Sequence, residues 1–236
     1  MTRRLEGPVL NDSKVSTRQW FEELPTAFDP DYVRVIHDFD EIVLDLTNKW
    51  TQIKDGGAGT VTVQADAQYG RVDLISQATT DNSGSSIQGN EIYAVTNGKR
   101  LWFETKLQSS DADQQEWFVG ICENFATNPE ACLTSSNRIG FQVDDGDGSI
   151  LCITESVDVE NSTNSQIDCV DATDITLGFV VISLGVVEFY VNRKLVATHT
   201  ATIPTVNMTL AAYQLSGNAT GTKSLSIDYL QTIAQR

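Results

Sequence analysis

The sequence predicts an all-β protein, an antiparallel sandwich or barrel behind an irregular N-terminal arm. Three observations carry this. Between residues 101 and 231 short apolar runs (LWFETKLQ, EWFVGICE, RIGFQV, SILCITES, TLGFVVI, VVEFYVN, KLVATHT, MTLAAYQL, LSIDYLQ) are separated by stretches rich in Asp, Asn, Gly and Ser. That is the rhythm of strands joined by tight turns. Apolar positions recur with period two, as in Val61/Val63, Val72/Leu74, Trp102/Glu104 and Leu225/Ile227/Tyr229, so each sheet has one buried and one wet face. Beyond a turn or two around residues 16–24 there is no helical periodicity, and nothing repeats at a fixed spacing.

Residues 1–35 read as an arm. Polar positions dominate until Trp20-Phe21, and Leu24, Pro25, Phe28, Pro30 and Tyr32 follow. Prolines among scattered aromatics suit an extended segment that needs a surface for its apolar side chains, either its own sheet or a neighbouring subunit. The domain proper then spans residues 36–236. VRVIHDF and EIVLDLTNKWTQIKD read as strands separated by turn residues Asp38 and Asp40. DGGAG (55–59) leads into TVTVQAD and RVDLISQAT. TTDNSGSSIQG (79–89) has the composition of an exposed loop. The continuous apolar runs at 179–182 and 186–187 belong in the middle of a sheet.

At 236 residues and 40% hydrophobic, the chain can build one large core. No apolar run reaches the roughly 20 residues that cross a bilayer. Residues 177–190, the longest candidate, are interrupted by Ser183, Gly185 and Glu188. MTRRLEGPVLNDSK has no apolar stretch behind its charges, so the expectation is synthesis in a cytosol without Sec export. Net charge is −16. Residues 1–18 hold four basic and two acidic side chains, net +2; the remainder holds 12 and 30, net −18. Such a body repels nucleic acid and anionic membranes. The basic leader suits an acidic protein surface, or is simply solvated.

Cys122, Cys132, Cys152 and Cys169 form no C-x-x-C pair, and His37 and His199 are the only histidines, which argues against zinc. Cys152 and Cys169 flank a hairpin expected to turn around residues 159–164, and Cys122 and Cys132 bracket a polar loop. Two local disulfides fit that geometry, and four buried thiols are the default for a cytosolic product.

A glycosidase needs two carboxylates across a cleft. The jelly-roll β-glucanases carry theirs as E-x-D-x-x-E on one strand, a pattern missing here; Asp38, Asp40, Glu41 and Asp45 come nearest, and Asp228 stands alone. DDGDG (144–148) reads as a hairpin turn rather than a Ca²⁺ loop, because neither the alternating ligands nor a distal Glu is in place. No nucleophile elbow, P-loop or dinucleotide fingerprint occurs. The sequence therefore assigns no catalytic residue, cofactor or metal. Trp50, Trp102 and Trp117 read as core aromatics in strands. N-x-S/T sites at Asn161, Asn207 and Asn218 read as compositional accident.

KRLWFETKLQ, EWFVGICE, IGFQVDDGDGSILC, TLGFVVISLGVVEFYVNRKLVATHT and LSIDYLQTIAQR together resemble the concanavalin A-like (laminin G-like) jelly-roll proteins of tailed bacteriophages, over roughly residues 36–233. VEFYVNRKLVAT is the most specific piece. It has Arg193 where the family usually shows Gly, with Asn192 still able to accept a positive φ. The resemblance implies a jelly-roll β-sandwich and a virion structural role: a non-enzymatic capsid decoration (cement) protein. It would be made in the host bacterial cytoplasm and bound to the major capsid protein on the capsid exterior, as a homo-oligomer and most plausibly a homotrimer. The expected partner contacts lie on the arm: Arg3, Arg4, Arg18, Trp20, Phe21, Leu24 and Phe28, basic and aromatic anchors. The alternative is a carbohydrate-binding or host-adhesion module on a phage fibre, using loops such as 79–89 and 124–131.

Overall fold

The computed structural model describes residues 32–39, 44–54, 59–64, 70–95, 99–125, 135–183 and 185–236. These contain strands and turns and no helix. Strands are numbered in chain order. The first sheet runs β14 (Lys194–His199), β13 (Val186–Val191), β12 (Ile175–Ser183), β7 (Leu101–Ser109), β16 (Ser224–Gln235), β4 (Val72–Ile75) and β3 (Thr60–Val63), with β1 (Tyr32–His37) also on β16. The second runs β11 (Val159–Asp168), β10 (Ser149–Ser156), β9 (Asn137–Val143), β8 (Gln115–Cys122), β15 (Asn207–Ser216), β5 (Gly84–Gln88) and β2 (Thr51–Lys54), with β6 (Tyr93–Ala94) on β15. Every pairing is antiparallel. Two such sheets face to face make the expected sandwich.

The main core lies between the sheets, where period-two alternation sends every second side chain inward. Phe103 stacks on Phe179 within the first sheet at 4.9 Å, and Phe189 meets Phe141 of the second edge-on at 5.5 Å. Trp117, Val119 and Ile121 fill the middle from β8. Polar pairs join the layers: Thr232 Oγ1 donates to Tyr93 Oη at 2.8 Å. His199, on the edge strand β14, lies between Thr154 Oγ1 (2.8 Å from Nδ1) and Thr163 Oγ1 (3.0 Å from Nε2).

The second sheet also packs on its outward face. Phe118, Cys122, Ala211, Tyr213 and Leu215 form a separate apolar cluster with Ile53 and Phe125. Gln88 holds Phe125 there by accepting from its backbone N–H and donating to its carbonyl. Gly140 is required beneath Phe118, because a Cβ would fall 2.7 Å from the ring and 2.4 Å from the Val119 carbonyl. Arg138, 3% exposed, lies over the same ring at 5.8 Å. Its guanidinium donates to Glu155 at 2.6 Å, to Gln142 at 2.9 Å and to Glu160.

Several expectations change. Residues 84–88 are not an exposed loop but the buried strand β5, paired on both sides. Serine and glycine are used there because neighbours come close: a Cβ on Gly84 would lie 1.8 Å from the Gln214 carbonyl, and Ser85 Oγ donates to Thr60 O at 2.9 Å. Within the run expected as one strand over 41–55, the described residues 44–54 break it: residues 46–49 turn, with Asp45 accepting from the Thr47 and Asn48 amides at 3.0 Å, and of these described residues β2 alone is a strand. The hairpin expected to turn at 159–164 turns instead at Val157 and Asp158, both at positive φ (52° and 60°). A β-branched residue gives no turn signal; the neighbouring segment holds it, Ser136 Oγ donating to Asp158 Oδ1 at 2.6 Å. The strand read from Val33 is β1, which starts one residue earlier at Tyr32; residues 1–31 lie outside the described residues. Asn192 and Arg193 both have positive φ (48° and 66°), so the hairpin turn survives without glycine. Asn192 Oδ1 helps by accepting from Thr176 N at 3.1 Å.

His199 supplies a pH test. Burial holds its pKa below the ordinary 6.5, so the folded chain refuses a proton that the unfolded chain takes. Stability is complete above about pH 6.5 and falls as pH drops from there, until the folded pKa is reached. NMR titration should place the His199 midpoint below 6.5, and His199→Gln should flatten denaturation midpoints over that window.

Candidate functional site

The outward face of the first sheet carries a partly exposed convergence of polar side chains. On β7 the alternation puts Trp102, Glu104 and Lys106 outward and Phe103, Thr105 and Leu107 inward. Trp102 therefore shares its face with Glu104 and lies outside the central core. β16 reaches the same face through a bulge. Its register steps from Ile227↔Leu107 to Tyr229↔Lys106, leaving Asp228 unopposed. A bulge re-aims side chains: Leu225 and Ile227 point inward before it, and Leu230 and Thr232 after it. Tyr229, which the alternation had grouped with Leu225 and Ile227, turns outward.

Lys106 then joins two carboxylates. Its Nζ lies 3.0 Å from Asp228 Oδ2 and 2.9 Å from Asp174 Oδ2. Arg71 Nη2 reaches both oxygens of Asp174 at 3.0 Å. Tyr229 Oη donates to Glu104 Oε1 at 2.6 Å. Gly178 stands between Glu104 and Tyr190 in the register and leaves a gap in the side-chain layer. Tyr190 Oη in turn donates to Glu188 Oε2 at 2.7 Å.

The hydrogen bonds of Asp174, then Asp228, raise the Lys106 pKa and keep it charged. Burial works to raise Asp174, and the Lys106 and Arg71 bonds outweigh it, so the carboxyl titrates below its usual range. Burial, then the Glu104 carboxylate, pushes the Tyr229 phenol upward, so it stays a donor. Lys106, Arg71 and the nearby Arg193 face Asp174, Asp228 and Glu104. On a chain of net charge −16, this patch is formally balanced.

Such a patch can hold a ligand rich in hydroxyls, since it offers ionised acceptors, ionised donors and an aromatic ring together. A glycosidase acid must be protonated at working pH, and Asp174 is held ionised. Among the described strands only β11 carries two carboxylates, Glu160 and Asp168, and they lie eight positions apart.

The remaining candidates are weaker. A cavity of about 210 Å³ beside Trp50, Phe39, His37 and Lys49 is below the roughly 300 Å³ where ligand pockets begin. In the 144–148 turn Gly146 takes φ 80° and Asp147 Oδ1 accepts from Ser149 N at 2.9 Å, as a hairpin requires. Among the described residues no group of three His, Cys, Asp or Glu side chains is placed to hold a metal. His199 has threonine partners and is not set beside a nucleophile. Cys122, Cys152 and Cys169 are free and buried, and Cys152 faces Thr163 rather than Cys169, so that local disulfide is not formed. Cys132 lies outside the described residues, as do the arm anchors Arg3, Arg4, Arg18, Trp20, Phe21, Leu24 and Phe28.

The polar patch was missed in the sequence. W-x-E-x-K on β7 was a signal, since it places an acid and a base on one face. Asp174 and Arg71 gave none, because they come from other parts of the chain.

No family model matches the chain, and no curated protein does. Solved structures do. A protein of unknown function from Shewanella oneidensis MR-1 superposes with TM-score 0.61 at 16% identity, covering 90% of each chain. The catalytic domain of an endo-1,3-beta-glucanase (laminarinase) from Thermotoga petrophila RKU-1 gives 0.59 at 11%, covering 87% of this chain and 99% of that one. Peanut lectin gives 0.58 at 12%, covering 86% and 97%. The chain thus has the concanavalin A-like jelly-roll fold, which both glycoside hydrolases and lectins use, and a fold shared at this identity settles neither activity.

The thiols give a direct check on the packing. Burial pushes the Cys152 pKa up to about 12 and that of Cys169 up to about 11, and raises Cys122 as well. Ellman's reagent at pH 8 should label at most one thiol of the native chain and all four after unfolding.

Proposed function

We propose that the protein is a carbohydrate-binding jelly-roll module that holds a neutral glycan on the outward face of the first sheet without cleaving it, as a displayed adhesion module would. The observation that carries this is the charge-balanced patch of Lys106, Arg71 and Arg193 with Asp174, Asp228 and Glu104 around Tyr229. A body of net charge −18 repels polyanions, whereas a neutral polyhydroxy ligand meets no such barrier. Its hydroxyls can accept from Lys106 and Arg71 and donate to the carboxylates. The lectin and glucanase neighbours support the fold's suitability for sugars, and display on a phage fibre accords with the sequence resemblance.

A second reading rests on the leader. Its net positive charge against an acidic body, with Trp20-Phe21 behind it, favours attachment to a larger acidic assembly. In that reading the protein decorates a phage head as a homotrimer, with the arm gripping the major capsid protein. Occupancy of purified particles by a chain lacking residues 2–30 separates the two, since a head-bound cement protein would be lost from them.

On a glycan array the protein should bind neutral oligosaccharides, and Lys106→Ala or Asp174→Asn should weaken binding about tenfold or more. Incubation with β-glucan, laminarin or mucin O-glycans should release no new reducing ends. An array with no bound glycan would refute the proposal, and released reducing ends would refute its non-catalytic part.

A further inference from the structure

Polar atoms without partners gather at one place between the two sheets. On β8, Trp117, Val119 and Ile121 face the main core while Phe118 and Cys122 face outward, so Gln115 falls on the inward side. On β15, Ala211, Tyr213 and Leu215 face outward, so Gln214 points inward. The register sets Gln214 directly opposite Trp117, with Gln115 two residues along β8. From the facing sheet, Ser109 Oγ on β7 donates to Gln115 Oε1 at 2.7 Å, which puts the Gln115 amide in the space between the layers. Gln115, Trp117 and Gln214 are each 0% exposed. Gln115 Nε2, Trp117 Nε1 and both amide atoms of Gln214 have no hydrogen-bond partner among the described residues. We propose that these three side chains hold ordered water inside the sandwich, as an internal hydration site.

The donor count selects the occupant. Each glutamine amide nitrogen carries a pair of N–H groups and the indole carries one, whereas Gln214 Oε1 is the sole acceptor of the set. Bonds within the set would leave most of these donors unpaired, because one carbonyl oxygen has only two lone pairs. Exchanging oxygen and nitrogen in either amide does not help. Both atoms of Gln214 lack partners, and Gln115 has one partner for its two polar atoms. A buried polar atom left this way is costly. The missing partner must accept from N–H groups and donate to Gln214 Oε1. Water does both, and it is small enough for a site whose side chains have no exposed surface. Directly opposite residues in an antiparallel pair have Cβ atoms about 5 Å apart, so the Trp117 and Gln214 side chains share one space. An anion would accept too, but it would enter a chain of net charge −16 with no cation bonded to these side chains.

Because the site lies between the sheets, it is independent of the glycan proposal, which uses an outward face. In the isotopically labelled full-length chain, the Trp117 indole resonance is identified by its loss in Trp117→Phe. Water-selective NMR should then show a cross-peak between Trp117 Hε1 and water, with opposite signs in NOE and ROE spectra. The cross-peak should persist in Ser109→Ala, which removes the hydroxyl bonded to Gln115 as a relay for exchange. No cross-peak, or its loss in Ser109→Ala, would overturn the inference. So would an indole shift that follows chloride concentration, which would mean an ion in place of water. The second measurement is the thermal midpoint of Gln214→Met, a side chain of similar length without the amide. A dry site gains when two orphaned polar atoms are removed, and its midpoint rises. A hydrated site loses water's partners and strands the indole N–H, so the midpoint should fall. An unchanged or raised midpoint would also count against the site.

Discussion

The pairing of β16 with β7 is the constraint on which the rest of the structure depends. It runs from Leu225↔Ser109 to Ala234↔Leu101, and the other edge of β16 receives both β4 and β1. A one-residue slip in a sheet sends every side chain to the opposite face. Here that slip happens once and under control, at Asp228. Before the bulge, inward Leu225 and Ile227 complete the core; after it, Leu230 and Thr232 do. The residue released by the bulge reaches Lys106, and Tyr229 reaches Glu104. Core and polar patch are thus two consequences of one irregularity.

The two outward faces then take different roles. The second sheet covers its own surface: Phe118 fills the space above Gly140, and Arg138 is buried against Glu155, with Glu160 bonded to it from the exposed side. Removing one member of such a buried ion pair costs about 3–5 kcal/mol, so Arg138 holds the layer in place and is unsuited to a changing role in binding. The first sheet leaves Lys106, Asp174, Asp228 and Tyr229 partly open to solvent. Their ion pairs are exposed and therefore weak in stability terms, which suits groups that trade partners when a ligand arrives. The jelly roll is used for both binding and hydrolysis among the solved structures this chain resembles.

Much of the fold was legible from the chain. The strands from residue 101 onward carry alternating or continuous apolar runs, and their turns carry Asn, Asp and Gly. Two elements were hidden for physical reasons. β5 opens on Gly84, Ser85 and Ser86, where the Gln214 carbonyl and the chain leading into β3 approach closely, so Ile87 alone gives it an apolar signal. The β10–β11 hairpin turns on Val157 at positive φ, a conformation set by packing rather than by local preference. The site was less legible still. Its members come from β7, β16, the turn before β12 and the residue before β4, and only a register with its bulge brings them together. The alternative of a Cys152–Cys169 disulfide rested on the wrong turn and hence the wrong register, and the default of buried thiols holds for Cys122, Cys152 and Cys169.

The most direct measurement of the central claim is an NMR titration of the isotopically labelled chain with a neutral β-glucan oligosaccharide, followed by recovery of the sugar. Binding at the patch predicts shifts concentrated on Lys106, Asp174, Asp228, Tyr229 and their strand neighbours, with the oligosaccharide recovered intact. Shifts confined to the second sheet's outward face, or a shortened sugar, would contradict the account.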